Sequence, residues 1–180
     1  MPELLGRILF SGLAGAATSA VAAAIASRLE NGHTARPMNA VAHIYDGGMP
    51  RAHNGKGARN TLLGTAIHSG ASIWWATFYQ AALAARAGRV PAAAAIAAIA
   101  YLVDYYVVHK RFRPGFEAYL SPRALFGVYA ALAAGYAMSG GNGRALVRKR
   151  QDERERAALA RTARKAQLPA QEPRQFTADR

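Results

Sequence analysis

Cysteine is absent from the 180 residues. Disulfides, thiolate nucleophiles and thiolate metal sites are therefore excluded. No Asn-x-Ser/Thr glycosylation acceptor occurs. The chain also lacks a P-loop, a Rossmann glycine fingerprint, a nucleophile elbow and the paired-histidine motif of zinc hydrolases. His43, His53, His68 and His109, with Asp104, are the candidate metal ligands, but none forms an i, i+4 histidine pair. No metal and no cofactor is therefore expected, and no residue is assigned a catalytic role.

Charge is missing from particular places. Ile8 to Ala26, Thr61 to Ala85 and Ala124 to Gly143 hold no Asp, Glu, Lys or Arg, and Val90 to His109 holds only Asp104. Runs of roughly 20 apolar or small residues match a hydrocarbon core about 30 Å thick. The mean hydropathy of -0.03 hides this, because the charges are segregated elsewhere. A soluble bundle of Ala-rich helices is the alternative, but each of its helices would need a polar face. The expected fold is all-α: a four-transmembrane-helix up-down bundle with helices at about 5–28, 60–85, 90–109 and 124–141.

The first run could also be read as a signal peptide, with Ala24-Ile25-Ala26 before Ser27 as its cleavage site. Its apolar stretch exceeds the usual 7–15 residues, which favours a retained helix. Two rows of small residues run along it, Gly12-Ala16-Ala20-Ala24 and Ser11-Gly15-Ser19-Ala23. Such rows let backbones approach closely in lipid, within one bundle or between two copies.

In the loop that follows, Pro37 can open a helix. Met38, Val41, Ala42 and Tyr45 fall on one face, and Gly47-Gly48 ends it. Residues 37–46 are thus expected as an interfacial amphipathic helix beside the 110–123 turn, with a loop helix packed on the bundle as the alternative, and a mobile, glycine-rich 48–60 after it. A link of about four residues, Arg86 to Arg89, makes the second and third helices an antiparallel hairpin. Gly140-Gly141-Asn142-Gly143 is expected to stop the fourth helix. Two regions follow: a membrane domain, 1–143, and a basic soluble tail, 144–180, helical to about 167 and disordered around Pro169 and Pro173.

The net charge is +13. The tail contributes 11 Lys/Arg less 5 Asp/Glu, or +6, and the remainder 12 less 5, or +7. This balance suits anionic lipid head groups near the tail. No recognition motif accompanies it, so nucleic acid is not assigned as a partner. The expected partners are the bilayer itself and, through the small-residue rows, a second copy or a larger membrane complex. Cations near the helix ends number nine on each side: Arg7, Arg86, Arg89, Arg144, Arg148, Lys149, Arg150, Arg154 and Arg156 against Arg28, Arg36, Arg51, Lys56, Arg59, Lys110, Arg111, Arg113 and Arg123. The dense Arg148-Lys149-Arg150 cluster breaks the tie, placing both termini in the cytoplasm.

Two residues stand out as candidate chemistry. Asp104 lies inside a span, where a carboxylate costs at least about 2.5–3.5 kcal/mol and must face a partner. Helical spacing puts it on one face with Ala97, Tyr101 and Val108. His68 belongs to a stripe on the second helix, Thr65, His68, Ser72, Trp75 and Tyr79, opposite Leu63, Ile67, Trp74 and Phe78. The hairpin brings His68 and Asp104 to similar depths. The binding or relay candidates are therefore His68, Asp104, Ser72, Trp75, Tyr79 and Tyr101, with His43, Arg113 and Glu117 as a loop group on one side. Each has a bland alternative. The stripe can be interhelical glue, Asp104 can meet Lys110 or Arg111 at the interface, and the tyrosines can form an aromatic belt.

Several stretches carry a family resemblance: Pro37-Met38-Asn39-Ala40-Val41-Ala42-His43; His68, Ser72 and Trp75-Ala76-Thr77-Phe78-Tyr79; Asp104-Tyr105-Tyr106; and Arg113-Pro114-Gly115-Phe116-Glu117. Over about residues 35–135 the chain resembles a family of bacterial four-helix integral membrane proteins that has no established activity. Members often place an acid after the tyrosine, where this chain has Gln80. The resemblance implies a membrane location, in a bacterial inner membrane. The leading functional expectation is a non-catalytic accessory or scaffold. The alternatives are a small transporter or proton-linked conduit using Asp104 and the His68 stripe, and an enzyme at the membrane interface. A hydrated cavity reaching both residues would favour the conduit, and a dry seam the scaffold.

Overall fold

The computed structural model describes residues 2–53 and 58–166, without the side chains of 52, 53, 141–151 and 161–166. Among the described residues the chain is all-α, with six α-helices and no strand. They are α1 (Pro2–Asn31), α2 (Arg36–Val41), α3 (His43–Asp46), α4 (Ala58–Ala84), α5 (Arg89–Leu102) and α6 (Pro122–Ala166). The chain divides into two compact units after Gly143. In the second unit, residues 152–160 are exposed. The expected disorder around Pro169 and Pro173 lies outside the described residues.

In the first unit, α1, α4, α5 and the opening of α6 pack with alternating direction. Gln80 Nε2 donates to Ser11 Oγ at 2.6 Å, and His68 meets Ser19 at 3.0 Å, so residue numbers fall on α4 as they rise on α1. Thr18 donates to the Ala131 carbonyl at 2.7 Å, which sets α6 antiparallel to α1. Glycine makes these approaches close. A Cβ on Gly12 would strike Ile73, and one on Gly135 would strike Thr18 and the α1 backbone. Of the two small-residue rows, Ser11-Gly15-Ser19-Ala23 is wholly buried, with Ser27 continuing it.

In the first unit, large apolar side chains stand exposed along the long helices. On α1 the buried residues are serine, glycine and alanine, whereas Leu5, Leu13, Val21, Ile25 and Leu29 are exposed. Trp74 and Phe78 on α4, Ile99 and Leu102 on α5, and Phe126 and Met138 on α6 are likewise exposed. Among the described residues, two helices, Pro2–Asn31 and Arg89–Val107, are long and apolar enough to cross a membrane. At 27 residues α4 has the length, but its serine, threonine, histidine and glutamine keep it out of that class.

Several expected boundaries move. The fourth helix does not stop at Gly140-Gly141-Asn142-Gly143 but continues to Ala166. Glycine weakens a helix by about 1 kcal/mol and, unlike proline, does not forbid it. Gly140 has a packing role instead, since a Cβ there would meet the Tyr79 hydroxyl. The third helix ends as α-helix at Leu102, and Val103–Val107 widens into a π turn. For residues 37–46 the surface-lying reading gives way to the alternative, a segment packed on the bundle, here as two short helices. Pro37 through His43 are buried against the bundle, and only Tyr45 and Asp46 are exposed. The cause is Gly64 on α4, where a Cβ would fall on the Met38 carbonyl oxygen, so the α2 backbone rests directly on α4. Thr61 adds a 2.6 Å hydrogen bond to Asn39. Within the expected mobile stretch, Pro50–His53 forms a 3-10 turn and α4 begins at Ala58, while residues 54–57 lie outside the described residues.

The connections are specific. At the α4–α5 turn, Arg86 adopts a left-handed φ of 65° and the Ala87 N–H bonds the Ala82 carbonyl at 3.0 Å, a helix ending usually reserved for glycine. At the opposite end, Ser121 donates to Glu30 through both its N–H (2.8 Å) and its hydroxyl (2.5 Å), tying α1 to the start of α6. These two bonds hold the exposed Glu30 carboxyl below its ordinary pKa. Arg59 pairs bidentately with Asp46 at 2.8 and 2.9 Å, anchoring α3 to the start of α4.

Candidate functional site

A cavity of about 90 Å³ lies among α1, α4, α5 and α6, beneath the two connections that meet at one end of the unit. Its roof is apolar: Val41 and Ile44 from α2 and α3, and Phe112, Pro114 and Phe116 from the 108–121 connection. Its polar groups are Ser19, His68, Ser72, Asp104 and Tyr129, with Trp75 beside them. A cavity this size has room for several waters, since one needs only about 10–15 Å³.

Each polar group is held by its helix. Ser19 donates its hydroxyl to the Gly15 carbonyl at 2.7 Å, back along α1. The same hydroxyl stands 3.0 Å from His68 Nε2. The His68 ring lies 5.7 Å from that of Phe116. Ser72 is fully engaged below, where Tyr136 donates to its carbonyl at 2.6 Å and the two hydroxyls stand 3.3 Å apart.

Asp104 sits in the π turn, whose wide ring is closed by the Val108 N–H bonding the Val103 carbonyl at 2.8 Å. Such single wide turns interrupt α-helices often where a site is built. Here the turn carries Asp104 and Tyr105 on the side of α6, while Tyr106 and Val107 stay exposed. Tyr129 of α6 donates to Asp104 Oδ2 at 2.6 Å. Asp104 thus faces the bundle, as expected, and its partner there is the Tyr129 hydroxyl.

The candidates thus separate into two groups. His68, Ser72, Trp75 and Asp104 line one cavity. Tyr79 does not line it. It stacks on Tyr136 with centroids 5.3 Å apart, deeper in the core. Tyr101 stands behind the site, edge-on to Tyr129 at 5.3 Å. Thr65 of the expected stripe is exposed, and Ile67, expected on the opposite side, turns into the cavity. The loop candidates also lie outside the lining: His43 is buried with Nδ1 2.6 Å from the Ala40 carbonyl, Arg113 is half-buried and Glu117 exposed. The two connections do come together as expected, but they contribute apolar side chains. Among the described residues, no group of three His, Cys, Asp or Glu side chains is arranged to hold a metal.

Tyr129 and Ser19 escaped the sequence reading. Tyr129 shares a face with Leu125, Leu132 and Tyr136, a spacing that marks the buried side of the fourth run. No known protein family, curated protein or solved structure matches the chain.

Proposed function

We propose that the protein is a small integral membrane protein of a bacterial inner membrane, spanning it four times, and that it works as a proton-linked transporter through the cavity between its helices. The spanning reading is supported by apolar residues that face outward on all four long helices, while serine, glycine and alanine form the buried face of α1. The family resemblance noted above points the same way. Both termini are assigned to the cytoplasm.

One observation carries the transport reading, the single cavity that reaches both His68 and Asp104. A carboxylate within a membrane protein marks a substrate or proton pathway when it faces an internal cavity. The titratable groups around Asp104 are His68 from α4, Tyr129 from α6 and its own neighbours Tyr101 and Tyr105. No lysine or arginine lines the cavity. A non-catalytic scaffold is the second reading. It is favoured by the closed seam beyond Ser72, where Tyr79 and Tyr136 stack fully buried.

Proteoliposomes enclosing a pH-sensitive dye distinguish the two. Small cationic, neutral and anionic solutes are added in turn across an imposed pH gradient. Transport predicts that one class moves the internal pH faster than in empty liposomes, and that Asp104→Asn abolishes the effect. Folded protein that leaves every trace at the empty-liposome rate points to the scaffold.

A further inference from the structure

We propose that the cavity is a site for a small organic monocation, such as a quaternary or protonated amine. The inference rests on reading the cavity as a binding site and names what it binds. Asp104 is the sole acid on the lining, and no basic side chain shares it. Among the described residues, Tyr129 provides the carboxylate's hydrogen bond, at 2.6 Å, and no ion pair reaches it. An anion would be repelled there, and a neutral guest would leave the buried charge uncompensated. A monocation offsets it.

The remaining wall selects the kind of cation. Trp75, Phe112, Phe116 and Tyr129 present aromatic rings around the same space. Ring faces attract weakly hydrated cations, most strongly where water is excluded. A hard metal ion instead needs six or more oxygen ligands. The lining offers few of its own, because the Ser19 hydroxyl is engaged by Gly15 and His68 and that of Ser72 by Tyr136. One carboxylate within a mainly aromatic and aliphatic wall suits an alkylammonium group.

Trp75 provides the readout. The chain has 2 tryptophans, and Trp74 is exposed and off the cavity, so Trp74→Phe leaves Trp75 as sole reporter. Detergent-solubilised protein is titrated with choline, with its uncharged isostere 3,3-dimethylbutan-1-ol and with the anion 3,3-dimethylbutanoate. Choline should shift Trp75 emission saturably at a concentration at least about tenfold below the alcohol, and the anion should not bind. Asp104→Asn should remove the preference, whereas Asp104→Glu, which keeps the charge, should retain it. Choline and the alcohol binding equally, or a choline preference surviving Asp104→Asn, overturns the cation assignment while leaving the cavity as a binding site. Saturation by none of the three probes overturns the assignment together with the binding site itself. The comparison of choline with the alcohol uses the native cavity, so it stands even if the Asp104 variants fold poorly.

Discussion

At the scale of single residues, Asp104 depends on a neighbour from a different helix. Tyr129→Phe removes a hydroxyl and leaves the carboxylate without its 2.6 Å hydrogen bond. Loss of one partner of a buried polar pair costs about 1–3 kcal/mol. The variant should unfold earlier in detergent by that amount, read by thermal or denaturant titration. Tyr129→Phe combined with Asp104→Leu should recover part of the loss, because no polar group is then stranded. Equal stability of Tyr129→Phe and the parent would mean that the bond contributes nothing. The sequence made Asp104 visible because an acid inside an uncharged run is conspicuous. Tyr129 was not visible, because a tyrosine in an apolar run also reads as an interfacial belt residue. Only its spacing to Tyr136, Leu125 and Leu132 separates the two meanings. His68, Ser72 and Trp75 were legible from helical periodicity. Tyr79 obeyed the same periodicity yet fell outside the cavity, since the stripe is longer than the cavity is deep.

At the scale of elements, helices were legible and their ends were not. Charge exclusion marks where a long apolar helix must run, but glycine is ambiguous, serving as a stop in one context and a contact surface in another. The structure resolves the ambiguity position by position. Gly64 lies against the Met38 carbonyl, whereas Gly127 on α6 has open space beside it. Gly64→Ala should therefore push α2 off α4 and cost about 1–3 kcal/mol, as overpacking does. Gly127→Ala should be neutral or stabilise by about 0.5–1 kcal/mol, the helix-propensity difference. Parallel unfolding curves of the two variants test this, and equal shifts would refute the close approach of α2. The π turn at Val103–Val107 was similarly invisible, because hydrophobic periodicity over one turn cannot report an inserted residue. The short helices α2 and α3 were foreseen as one amphipathic element. Burial of Pro37 through His43 reflects tertiary packing on Gly64, which no local pattern encodes.

At the scale of the whole molecule, the proposal of four spans makes a prediction that its lack of cysteine renders clean to test. Leu13, Ile99 and Phe126 are 54%, 46% and 76% exposed, so in a water-soluble bundle each would meet solvent freely. In a bilayer the same positions would face acyl chains, where a charged maleimide does not reach and where a thiol stays protonated. Single cysteines at these three sites should thus remain unlabelled by an impermeant maleimide, in intact cells and in permeabilised cells alike. Ala87, in the α4–α5 turn, and Lys110, in the connection before α6, are exposed at opposite ends of the bundle. With both termini cytoplasmic, Lys110→Cys should label in intact cells, and Ala87→Cys only after permeabilisation. The reverse pattern would invert the orientation while keeping the spans. Labelling at Leu13, Ile99 and Phe126 as fast as at the two turns would remove the spans themselves. The exposed apolar faces would then have to be covered by protein. The two turn positions calibrate the reagent, so silence at the three helix positions reports their surroundings and not a failed reaction.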